Sequence, residues 1–142
     1  MKLAQNIKPK TGIWKLLPKI FSKNTAHALY PNIYLPEKIY LNLLSKNPNV
    51  NWIGVLKHEQ THITRQRQLG PMKWNLKYIF SKKFRLDEEI IANTIQIQYC
   101  QKHKIKFDIE RKARFLASWV YGWPDSYQNI KSKFESVKMP ST

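Results

Sequence analysis

The chain has 142 residues, of which 42% are hydrophobic and 13% aromatic, so it is long enough for one domain with a single core and too apolar to be disordered. Its formal net charge of +16 rests on 20 Lys against 5 Arg, which favours salt-sensitive attraction to a polyanion over the bidentate readout that Arg supplies. A single cysteine, Cys100, excludes an intrachain disulfide and a four-thiolate metal site, and suits a reducing compartment.

Residues 1–24 read as a basic arm carrying Lys2, Lys8, Lys10, Lys15, Lys19 and Lys23. These lysines interrupt any apolar core of a secretory signal, and no run approaches the ~20 apolar residues of a membrane span, so a cytoplasmic protein is expected. Trp14, Leu17, Ile20 and Phe21 offer an apolar face, broken at Pro18, that is expected to pack onto the rest of the chain. Residues 25–142 then form one domain. Pro31 and Pro36, spaced through "HALYPNIYLPEKIYLNLL", predict one or two short edge strands within 27–44.

The turn formers of 45–51 predict a loop, with Asn49 or Asn51 capping a helix over 52–69. Gly70-Pro71 is its stop signal. A short helix over 72–80 and a basic connection over 81–85 follow. Asp87, Glu88 and Glu89 are expected to open a third helix, where acids suit the dipole. A fourth is expected from Asp108 to Tyr121, and Tyr127, Ile130, Phe134 and Val137 make the tail amphipathic. Trp119 and Trp123 read as core, and Cys100 as buried and inert. The fold class is α+β, mostly helical, with a small N-terminal edge sheet.

Chemistry concentrates in "VLKHEQTHITRQ", residues 55–66. His58 and His62 lie one helical turn apart, about 6 Å along one face, which suits two imidazoles on one tetrahedral ion. Glu59 is offset, placed to accept a proton from water rather than to ligate. Such a site still needs a third protein ligand. His103 lies 14 residues beyond Glu89, about 21 Å along a continuous helix, so the two cannot share a site. The acids between 63 and 107 are Asp87, Glu88 and Glu89 alone. Glu89 shares a face with Ala92, Asn93 and Gln96, which makes it the preferred ligand and leaves Glu88 as the alternative. Asn93 could then orient the free ring nitrogen of a ligand histidine. Tyr78, Tyr121 and Arg85 are candidate hydrogen-bond donors to a tetrahedral intermediate, but packing or surface roles suit them better and none is assigned to catalysis.

"HEQTH" followed by "EIIAN" resembles the gluzincin branch of the zincin metallopeptidases, as in thermolysin and the integral-membrane heat-shock and prenyl-protein zinc peptidases. Residues 26–98 also resemble small single-domain zincins of bacterial and phage genomes. The resemblance implies a zincin-like domain with an HExxH active-site helix, His58, His62 and Glu89 as Zn2+ ligands, and Glu59 as catalytic base. The chain departs from the family at Asn93, where Asp is usual. The expected function is a zinc metallopeptidase acting on a peptide or protein substrate, steered by its basic surface toward a polyanion: nucleic acid, anionic cell wall or an acidic protein. The competing reading is a non-enzymatic, zincin-like virion component whose lysines contact DNA or a neighbouring subunit.

Overall fold

Two prolines frame a small sheet. In the computed structural model, which describes residues 3–15 and 25–138, Pro31 forms the turn between β2 (His27–Leu29) and β3 (Asn32–Leu35), and Pro36 ends β3. A third strand, β1 (Ile7–Pro9), pairs parallel to β3 with Ile7 opposite Ile33, giving the order β1-β3-β2. β3 is therefore central, and it holds no proline; Pro9 falls on an edge strand, where a missing N–H is tolerated. The described part of the basic arm thus supplies a sheet strand. Leu17, Ile20 and Phe21 lie outside the described residues.

The tract after Pro36 is helical, not extended: α1 covers Glu37–Leu44. Its Ile, Tyr and Leu content suits either state, but Pro36 at φ −49° starts a helix and Glu37 sits in the first turn. Leu43 of α1, Ile33 and Leu35 of β3, Ile7 of β1 and Leu56 close one core.

Leu56 belongs to α2 (Val50–Leu69), capped by Asn49, whose side chain accepts from the Asn51 amide. Gly70 at φ +84° reverses the chain, and Pro71 opens α3 (Pro71–Phe80) at once. Ser81 alone separates α3 from α4 (Lys82–Lys102), its hydroxyl accepting from the Phe84 amide at 3.2 Å. The expected basic connection is thus the first turn of α4. Asp87, Glu88 and Glu89 lie a turn further in and do not open the helix.

Asp108 caps α5 (Ile109–Leu116), which is shorter than expected; a separate 3-10 turn covers Trp119–Tyr121. α6 (Tyr127–Glu135) is the last helix among the described residues. Leu86, Ile97, Ala113, Leu116, Ile130 and Phe134 form the second core, and Cys100 is buried beside α2, its Sγ near Gly54. Trp123 is 71% exposed, contrary to its expected place in the core, because Gly122 and Pro124 carry it out of the helical unit; the Trp119 side chain lies outside the described residues. Among the described residues, no helix is long and apolar enough to cross a membrane.

Candidate metal centre

Among the described residues, α2 and α4 make the most extensive helix contact. Gly54 of α2, packed against Gln96, Tyr99 and Cys100 of α4, leaves room for the helices to approach, and α4 brings Glu89 onto the histidine face of α2. His58 Nε2 and His62 Nε2 lie 3.2 Å apart, and the Glu89 carboxylate reaches them at 3.6 Å and 3.5 Å. A tetrahedral zinc with bonds of about 2.0–2.1 Å separates its ligand atoms by about 3.3–3.4 Å. Glu89 turns Oε2 to His58 and Oε1 to His62, so the contacts near that value involve both carboxylate oxygens; with one ligand atom from each residue the three lie within 4.8 Å of one another, and two imidazoles with one carboxylate is a donor set that zinc accepts. The residues fit the ion. His58, His62 and Glu89 are the described group with metal-binding geometry.

Glu88 points elsewhere. It is 1% exposed and receives Arg65 Nη2 at 2.7 Å on Oε1, with Arg65 Nε at 3.1 Å and Trp74 Nε1 at 3.0 Å on Oε2. Asp87 is exposed and pairs with Lys83. His27 lies in the sheet against Lys10 and Trp14, and His103 ends α4 against Tyr99.

The surroundings of Glu89 differ from expectation. Asn93 donates from Nδ2 to the Glu89 backbone carbonyl at 2.7 Å and lies 3.5 Å from Oε2, so it braces the glutamate and not a histidine. One turn along the same helix face, its amide reaches back along α4 before it can reach across to α2. The Tyr78 hydroxyl donates to Glu89 Oε1 at 2.6 Å. Trp74, which stacks on Tyr78 at 4.6 Å, sets its edge against the His62 ring at 5.7 Å. The Nδ1 atoms of both histidines meet no protein partner among the described residues, so ring packing is what orients them. Arg85 donates to the Tyr78, Ile79 and Tyr121 carbonyls, tying the end of α3 to the Trp119–Tyr121 turn. Its guanidinium is a clamp for the two tyrosines. Trp74 was not singled out from the sequence; its spacing of four from Tyr78 is the available signal.

Electrostatics split the cluster. Burial holds His58 neutral, with a pKa lowered to about 3. Burial alone would also lower His62, but the hydrogen bond and charge of Glu89 outweigh it and raise its pKa above the usual value. Burial would raise Glu89, yet His62 and His58 keep its carboxyl well below the usual range. Among His58, His62 and Glu89 the proton is therefore favoured on His62. Burial foremost pushes Glu59 up to about 7; Glu89 adds to this, while His62, Lys112 and Lys10 oppose it. Burial also keeps the Tyr78 and Tyr121 hydroxyls protonated well above their usual range, reinforced by the Glu89 charge.

Two predictions follow from this geometry. Zinc uptake by metal-free protein near neutral pH is expected to release about one proton, because a ligand imidazole must be deprotonated. Affinity then rises with pH until His62 loses its proton unaided. Calorimetry in buffers of different ionisation enthalpy reads the number directly, and none released would contradict the assignment of the proton to His62. Tyr78→Phe is expected to weaken zinc binding by about 10–100-fold without unfolding the chain, since it removes the brace on Glu89. A chelator competition titration reads that loss; unchanged affinity would leave Tyr78 as a packing residue.

Compared with known proteins, the chain matches no family model, and no match was found among curated proteins or solved structures.

Proposed function

We propose that this chain is a zinc-dependent peptidase of the gluzincin type, with a zincin-like α+β domain. The observation that carries the reading is the buried convergence of His58, His62 and Glu89, with ligand atoms within 4.8 Å of one another, and the buried carboxyl of Glu59 next to His58 in the same helix. Zinc held by these three residues would supply the Lewis acidity that polarises a peptide carbonyl and makes water nucleophilic at neutral pH. Glu59 takes the proton of that water on its carboxylate and delivers it to the departing amine. In the metal-free protein burial raises its pKa to about 7, near the pH at which a base must accept and a conjugate acid must donate. Tyr78 and Asn93 hold Glu89 in place, and Trp74 holds the His62 ring. The +16 charge attracts acidic substrates, so turnover falls as salt rises.

The test is cleavage of a mixed peptide library by protein stripped with a chelator and reloaded with zinc. Cleavage that disappears on stripping and returns on reloading supports the reading. A zinc-loaded chain that cleaves nothing favours the second reading, a zincin-like structural protein of the virion type, with a basic surface for nucleic acid or a neighbouring subunit. The observation in favour of that alternative is burial: His58, His62 and Glu89 are only 5–7% exposed, as suits an ion that staples a fold.

A further inference from the structure

α3 is apolar on two faces. Trp74 and Tyr78 point inward to the metal centre, while Met72, Leu76, Ile79 and Phe80 are exposed at 79%, 52%, 63% and 81%. At 100° per residue these four fall within an arc of about 100°, so they form one stripe along the helix. A helix of ten residues makes that stripe about 15 Å long. Exposed apolar residues scattered singly need no explanation, but four in a row on one short helix do.

The charge around the stripe is of one sign. Residues 60–86 hold seven Lys and Arg and no Asp or Glu. Lys73 and Lys77, both exposed, run along one side of the stripe, and the exposed Lys82 follows its end, whereas Lys83 beside it is paired with Asp87. The hollow beside Met72 and Leu76, at the Gly70–Pro71 corner, is open and shallow, with no groove to enclose a helix or an extended peptide. A second copy is disfavoured because two chains of +16 repel. What remains is a flat partner that is negative at its surface and apolar just beneath.

We propose that the outer face of α3 docks this chain onto an anionic lipid bilayer. Met72, Leu76, Ile79 and Phe80 enter the boundary between headgroups and acyl chains, and the flanking lysines meet the anionic headgroups. Docking by this face sets the metal centre about one helix diameter, ~10 Å, from the lipid. The proposal holds whether or not that centre is catalytic.

The experiment is co-flotation of the full chain with vesicles of phosphatidylcholine alone or with about 30% phosphatidylserine, at low and high salt. Expected is binding to the phosphatidylserine vesicles that weakens with salt. The variant carrying Met72→Ser, Ile79→Ser and Phe80→Ser should lose binding at least ~tenfold with its melting temperature kept, since all three side chains are in solvent. The pair Lys73→Glu and Lys77→Glu, which leaves the apolar residues in place, should lose it as well. Undiminished binding by the serine variant would overturn the proposal, as charge alone would then suffice. So would no vesicle binding, or capture of DNA or polyglutamate in its place with the same dependence on the stripe.

Discussion

Glu59→Gln is expected to lower peptide hydrolysis by about 10²–10⁴-fold while leaving zinc content unchanged, the range that a positioned general base contributes. The substitution keeps the shape of the side chain and removes its capacity to accept a proton. Glu59 is buried and none of the three metal-facing atoms belongs to it, so the centre keeps its ligands. The variant also carries a distinct pH signature in metal-free protein. An acid whose pKa rises on folding, here from 4.5 to about 7, costs stability progressively as pH increases through that window. Wild-type stability should therefore decline between those values, and the glutamine variant should lack the decline. Melting temperatures across that range measure it, alongside initial rates on a cleavable peptide. Retained activity in the variant would remove Glu59 from the chemistry.

Arg65→Ala is expected to destabilise the fold by about 3–5 kcal/mol, the cost of leaving a buried charge without its partner. Glu88 is 1% exposed, and among the described residues Arg65 is the one cation on it, through a forked contact at 2.7 Å and 3.1 Å. Trp74 Nε1 would remain as a donor, and 31% of the Arg65 side chain is already in solvent, so the lower half of the range is expected. Arg65→Lys should restore only part of the loss, because a point charge cannot serve both carboxylate oxygens. Urea denaturation of the three proteins gives the comparison. A loss under ~1 kcal/mol would place the pair among surface ion pairs of little weight.

How far the sequence discloses this molecule depends on the range of the interaction involved. The spacing of His58 and His62 is a property of one helical turn, and so it was readable. Glu89 was readable for a different reason: the stretch after the motif holds few acids, and its helical face could be computed. What Glu88 does was not readable, because its partners Arg65 and Trp74 come from α2 and α3. Asn93 shows the same limit in reverse. Its position four residues after Glu89 was clear, but which neighbour it would hold was decided by its reach back along α4.

The secondary structure divides in the same way. Gly70-Pro71 marks its corner by backbone preference alone, and the helix over 50–69 follows from periodicity. α1 was missed because "KIYLNLL" is as dense in apolar residues as a strand, and a single proline before it decided the matter. The start of α4 was missed because a one-residue link at Ser81 leaves almost no loop to detect. β1 is three residues whose partner lies 26 positions away, Ile7 opposite Ile33, a pairing with no local signature.

The most direct test of the metal centre is zinc per chain, measured by elemental analysis after dialysis, for wild type, Glu89→Ala and Glu88→Gln. The account predicts about one zinc in wild type and in Glu88→Gln and a loss of it in Glu89→Ala, since three ligands are needed to hold the ion and Glu88 is not among them. No zinc in wild type, or equal zinc in wild type and Glu89→Ala, would contradict it.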